Sequence, residues 1–303
     1  METNNNNRGM NFFKCLLPVV IVFCVQTALS FIAMQFLICL QASNFQGSTY
    51  VDFMEQCMNA FMDTDFSVGI SLLYAVVCAV LFGFWYAREF VPKIDGKRVS
   101  LMKSITQYPP IMIVGAILFT VGLQYVCVYV MNALAMVFPS WLAFYQQLVE
   151  GMGMTEDSYS VLLILYSVIV GPICEELTFR GLTLGYARRA MPFWAANIVQ
   201  AMLFAGMHMN MLQGVYTFAI GLLLGYIFYK SGNILLTMIL HVLFNFVGMF
   251  LGNYIVVGST AIAFFAILLV GMIVTYVGLE IILKALQKKV NKTVSSSDMN
   301  STM

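Results

Sequence analysis

The chain holds only two histidines, and both fall inside apolar segments rather than in loops. His208 follows Phe204 by four residues in FAGMH, and His241 precedes Asn245 by four in HVLFN. Each pair therefore shares one face of a helix. A third apolar segment reads GPICEELTFRG and carries Glu175, Glu176 and Arg180. An ionisable side chain inside a membrane span costs about 2.5–3.5 kcal/mol on insertion scales and normally faces the interior, paired or functional. A carboxylate to take a proton from water, an imidazole to hold that water, and donors for a tetrahedral oxyanion are what hydrolysis of a peptide bond requires.

The spacing divides these residues by task. Glu176 and Arg180 are four apart on one helical face, whereas Glu175 points about 100° away from Glu176. Glu176 is thus expected to pair with Arg180 and hold the helix, leaving Glu175 to act as the base. His208 is its expected partner on the water and later proton donor, with His241 and Asn245 serving the oxyanion. Phe204 is expected to pack and shape the site. Gly171 and Pro172 loosen the helix one turn earlier, since proline removes a backbone donor.

Other readings of the same residues stay open. Two histidines and a carboxylate also form a catalytic zinc set, although the usual HExxH helix is missing and three separate helices would supply the ligands. The main expectation is a site with no metal and no cofactor. A single intramembrane His or Asn is commonly just a helix–helix hydrogen-bonding group, worth about 0.6 kcal/mol. Six polar residues on three neighbouring helices make that reading weaker. Cys174 beside Glu175 has no basic neighbour in sequence and reads as an inert buried thiol. A proton-relay transporter is a third reading, disfavoured because no internal repeat is visible.

The elements that must position these groups are membrane helices. Of 303 residues, 61% are hydrophobic and 10% charged, against about 25% charged in a soluble domain. Such a chain cannot coat itself with a water-soluble surface. Apolar runs at roughly 14–41, 67–91, 109–138, 159–187, 192–209, 212–230, 233–252 and 257–283 approach or exceed the ~20 residues that span a bilayer. The expected fold is an all-α polytopic membrane bundle of about eight transmembrane helices. Lys and Arg concentrate at the N-terminus, at 88–103, at 188–189, at 230 and in the tail, while 52–65 is acidic. By the positive-inside rule both termini are expected to be cytoplasmic.

The resulting organisation is a disordered N-terminus at 1–13, helices one to three at 14–140, and an extracytoplasmic interfacial segment at 141–158. A four-helix core at 159–252, a terminal span at 253–284 and a disordered tail at 285–303 follow. The disorder is expected because both ends are polar and have little to bury. In the interfacial segment, Trp141, Leu142, Phe144, Tyr145 and Leu148 fit a short amphipathic helix or an ordered loop equally well. The first apolar run is too long for a cleaved signal peptide. Seven cysteines, odd in number and without CxxC spacing, give neither a disulfide framework nor a structural zinc site. A net charge of +1 with short basic loops excludes a nucleic-acid surface.

The three motifs, taken in order as EExxxR, FxxxH and HxxxN, resemble those of the CPBP intramembrane proteases. That family takes in type II CAAX prenyl endopeptidases and Abi-type bacteriocin self-immunity proteins. The resemblance covers roughly 160–250 and implies Glu175 as base, His208 as its partner on the water, and His241 with Asn245 as the oxyanion site. Glu176 and Arg180 match positions of more structural character. It further implies a membrane-associated peptide or protein as substrate. The compact chain and its short loops lead us to expect a multi-pass protein of a bacterial plasma membrane. Peptide pheromone maturation, bacteriocin immunity or signalling-protein cleavage fit that setting better than CAAX processing. The alternative function is a non-enzymatic immunity or scaffold protein of the same fold. Oligomeric state is not legible.

Overall fold

The computed structural model describes residues 2–43, 45–47, 49–94, 97–154 and 159–301. Helices dominate, as the run of apolar segments dictates. They are α1 (Glu2–Ala42), α2 (Tyr50–Met62), α3 (Thr64–Glu89), α4 (Leu101–Ile105), α5 (Ile111–Val137) and α6 (Pro139–Gly151). After these come α7 (Val161–Ala190), α8 (Phe193–Met207), α9 (Met211–Ser231), α10 (Ile234–Leu251) and α11 (Ala261–Ser301). Two short strands, Lys93–Ile94 and Lys97–Arg98, pair antiparallel between α3 and α4.

Among the described residues, seven helices are long and apolar enough to cross a membrane. The expected span at 192–209 is instead the 15-residue α8. At 1.5 Å per residue it reaches about 22 Å, short of the ~30 Å hydrocarbon core. Large apolar side chains such as Phe84 and Ile262 are exposed at 76% and 84%. Lipid-bathed helices look like this, because the bilayer solvates apolar surface while every backbone group is satisfied within the helix. The protein is a polytopic helical membrane protein.

Helical backbone runs into both polar ends. The sequence predicts unstructured chain at 1–13 and 285–303, whereas α1 begins at Glu2 and α11 continues through Ser301. Extending an existing span needs no costly nucleation, so polar residues can continue the helix. Residues 1, 302 and 303 lie outside the described ones. The interfacial segment forms a helix, α6, and its residues 155–158 also lie outside the described ones. Helix α2, in the acidic loop, has no counterpart in the sequence reading. It begins with a capping box in which Thr49 and Asp52 each accept from the other's backbone N–H.

The chain divides into two compact units, residues 1–90 with 142–196 and residues 91–141 with 197–303. In the first unit, α1 packs on α3 and α7, and α2 folds against α1 and α3. Helix α3 runs parallel to α7, shown by matched pairs along both: Tyr74 with Tyr166, Trp85 with Tyr186, and Glu89 with Arg189.

In the second unit, α5 and α11 form an antiparallel seam built on glycines. A Cβ on Gly122 would stand 2.6 Å from the Thr275 amide nitrogen, and one on Gly115 2.8 Å from Ile281. Close backbone approach through small residues is how membrane helices gain packing energy when lipid is as apolar as their side chains. Helices α9 and α10 pack on α5. Asn233 caps α10 and donates its Nδ2 hydrogen to the Leu101 carbonyl of α4 at 3.0 Å.

Candidate active site

Helix α7 is not a regular α-helix. Wide π turns at Leu165–Val170 and Leu177–Thr183 flank the α-helical stretch Gly171–Glu176. The Gly171 N–H donates to the Tyr166 carbonyl and the Leu184 N–H to the Phe179 carbonyl, each five residues back. The glycine belongs to this geometry, because a Cβ there would stand 2.7 Å from the Tyr166 carbonyl oxygen. Pro172, which has no N–H, follows at once. Inserted π turns are rare and occur frequently at functional sites.

Between those turns the neighbouring glutamates have different surroundings. Glu176 is fully buried and its Oε1 lies 2.9 Å from Nη1 of the equally buried Arg180, one helical turn on. Glu175 is only partly buried. The ion pair removes one negative charge from the interior at the cost of desolvating two ions. The site then presents Glu175 as its accessible carboxylate. Cys174 sits beside it, 4% exposed, on the side of the helix near the fully buried Cys78 of α3. Its burial keeps the Cys174 thiol away from solvent.

The second unit gathers the aromatic and imidazole groups. Phe204, 1% exposed, lies between both histidines and meets each ring edge-on, at 5.1 Å from His208 and 5.8 Å from His241. It is a packing residue, and what it packs against is the chemistry. His208 stands just past the end of α8, where its own N–H and that of Met209 bond carbonyls three residues back. Its Nδ1 is 3.0 Å from the Phe204 carbonyl oxygen. A carbonyl only accepts, so Nδ1 is the donor in this contact and Nε2 is the ring nitrogen left for chemistry. Met209 then takes φ +49°, the one positive-φ non-glycine among the described residues. Such a left-handed turn costs of order 1–3 kcal/mol and tends to occur at functional sites. His241, 4% exposed, and the half-buried Asn245 follow each other by one turn of α10.

Two residues that the sequence reading passes over hold α8 in place. Asn197 and Gln200 are fully buried. Asn197 donates to the Leu222 carbonyl of α9 at 3.1 Å, and Gln200 donates to Asn197 Oδ1 and to the Gly221 carbonyl, both at 2.8 Å. A Cβ on Gly221 would lie 2.9 Å from that of Ala201, so a glycine is what lets α9 come this close. The signal is present in NIVQ, two polar amides three apart in an apolar helix. Tyr74 and Tyr166 also escape that reading, because tyrosines are common in membrane helices and neither lies in a motif. The structure brings together Glu176 with Arg180, and Phe204 with both histidines. The glutamates belong to the first unit and the histidines to the second. Among the described residues, no three His, Cys, Asp or Glu side chains gather as a metal-binding group.

A helical bundle with apolar outer faces, carrying a carboxylate, a buried ion pair and two imidazoles inside its helices, defines a multi-pass membrane protein with chemistry in its spans. Residues 157–247 match the family model described as type II CAAX prenyl endopeptidase Rce1-like, and all seven site residues fall within that match. This segment is just under a third of the chain, and its match supports the likeness to the CPBP intramembrane proteases. No curated protein and no solved structure matches the chain.

Proposed function

We propose that the protein is an intramembrane endopeptidase that cuts a membrane-associated peptide or protein with water activated by Glu175. The observation that carries this reading is the division between adjacent carboxylates: Glu176 is neutralised by Arg180 while Glu175 remains partly exposed. The match of residues 157–247 to a type II CAAX prenyl endopeptidase family model supports it.

In the proposed reaction Glu175 takes a proton from water as the oxygen attacks the scissile carbonyl. His208, with Nδ1 tied to its own helix, offers Nε2 to the same water and orients it. The C=O double bond opens to an oxyanion that accepts hydrogen bonds from His241 and Asn245. Collapse of the intermediate breaks the C–N bond, and the proton held at the Glu175–His208 pair passes to the leaving amine. General base catalysis of this kind is worth about 10²–10⁴ in rate, and a single oxyanion donor about 10²–10³. The location proposed with it is a bacterial plasma membrane.

The test is cleavage of farnesylated CAAX peptides and of unprenylated membrane-anchored peptides by purified protein. The variants are Glu175→Gln, His208→Ala and Glu176→Gln. The expected outcome is loss of cleavage in the first two, with both still inserting and folding. Full cleavage by Glu175→Gln would overturn the mechanism. Cleavage abolished by a chelator and restored by zinc would move the site to the metal-dependent form. A bacteriocin-immunity effect that persists in Glu175→Gln would favour the non-enzymatic function instead.

A further inference from the structure

Where α3 and α7 both finish, in the first unit, cations and aromatic rings gather around Tyr186. The Lys14 ammonium of α1 stands 5.8 Å from the centre of the Tyr186 ring. The Arg189 guanidinium stands 5.4 Å from the same ring and 4.6 Å from that of Phe90. The Trp85 indole N–H donates to the Tyr186 hydroxyl at 2.9 Å. Phe90 meets Tyr186 edge-on at 5.0 Å and closes over Gly185, where a Cβ would lie 2.7 Å from the Phe90 ring. Three helices thus fix the cluster, and a cation from α1 shares one aromatic ring with a cation from α7. Tryptophan and tyrosine at the end of a span mark the headgroup level of a bilayer. Lysine and arginine there lay their stems on apolar surface and keep their charges in water.

The charges of this cluster do not balance. Glu89 is its acid, and it pairs with Arg189. Arginine has five N–H donors. Glu89 takes one through its carboxylate and one, at 3.5 Å, through its backbone carbonyl. Three are left. Among the described residues neither Lys14 nor the exposed Arg88 makes an ion pair. Arg188, exposed beside Arg189, adds a further cation.

Next to these cations the helices are apolar on the outside. Lys14 shares a face of α1 with Leu17, and Arg88 shares a face of α3 with Phe84 and Leu81, all three apolar side chains being exposed. A ligand for this surface needs an anionic group at the level of Tyr186 and an apolar tail beside it. An acidic peptide has the first without the second, whereas an anionic phospholipid has both.

We infer that this end of the first unit binds an anionic phospholipid, with its phosphate between Lys14 and Arg189 beside the Tyr186 ring and its acyl chains along α1 and α3. The phosphate oxygens accept from the Lys14 ammonium and from the Arg189 donors that Glu89 leaves. Arg88 adds attraction at the flank. One headgroup held by Lys14 and Arg189 ties α1 to the helix that carries Glu175, and it does so whatever task Glu175 has.

Native mass spectrometry of the full-length protein in uncharged detergent tests this without any peptide substrate. The fraction of protein carrying phosphatidylglycerol, followed against lipid concentration, gives the affinity of the first bound lipid. A lysine or arginine near an anionic headgroup is worth about fivefold in affinity. Lys14→Gln and Arg88→Gln should therefore each weaken binding about fivefold, and Lys14→Glu should weaken it further. Phosphatidylcholine, with the same tails and no net charge, should bind more weakly than phosphatidylglycerol and equally to all variants. Lys284→Gln, at an exposed cation of α11, is the control and should leave the affinity unchanged. Unchanged affinity in Lys14→Gln, equal binding of the two lipids, or an equal loss in Lys284→Gln would overturn the inference. Displacement of the lipid by equimolar inorganic phosphate would overturn it too, by assigning the cations to a soluble anion.

Discussion

The α5–α11 seam and helix α7 are both tightly packed stretches of membrane helix, yet they solve opposite problems. The seam is regular and apolar. Its glycines let two backbones approach, and Thr275 returns its hydroxyl to its own helix at the Gly271 carbonyl. Helix α7 is irregular, with two π turns, a proline and a buried ion pair. A regular glycine seam gains packing energy and asks nothing of its side chains. An irregular helix gives up backbone regularity to turn particular side chains in particular directions. In this protein both acidic groups of the candidate site lie on the irregular helix.

The largest expected effect on that contrast comes from breaking the ion pair. Arg180→Met leaves Glu176 buried without that partner and should cost about 3–5 kcal/mol in a denaturation titration, whereas the double replacement with Glu176→Leu should recover most of the loss. Next comes the seam. Gly122→Leu forces side-chain atoms into the Thr275 backbone and should cost about 1–3 kcal/mol. Because the seam carries no chemistry, cleavage per folded molecule should stay unchanged in that variant. If cleavage per folded molecule fell with Gly122→Leu, the division between packing and chemistry would fail. The smallest effect is at the corner after His208. Met209→Gly relieves the left-handed strain and should stabilise by about 1 kcal/mol in the same titration, less whatever glycine adds to chain entropy.

The fold class is legible because lipid makes a simple demand: long apolar helices and few charges. The EExxxR spacing likewise makes the Glu176–Arg180 pair legible, since four residues is one turn and an unpaired ion in lipid is too costly to keep. Other features have no such local signature. The π turns depend on where a carbonyl finds its donor, four or five residues on, and Gly171-Pro172 marks only that something yields there. The shortness of α8 is set by the turn at His208–Met209, which apolarity alone does not reveal. Phe204 reads as packing, and its place between two histidines becomes visible only when α8 and α10 are seen side by side. Tyr74 lies in a part of the chain without motifs, and only the pairing of α3 with α7 brings it to Tyr166.

The central claim is that two adjacent glutamates have different tasks, and side-by-side cleavage rates of Glu175→Gln and Glu176→Gln test it most directly. Glu175→Gln should lower the rate by about 10²–10⁴ with folding intact. Glu176→Gln should lose stability first and retain cleavage in whatever fraction remains folded. Equal loss of cleavage per folded molecule in both variants, or full cleavage by Glu175→Gln, would contradict the account.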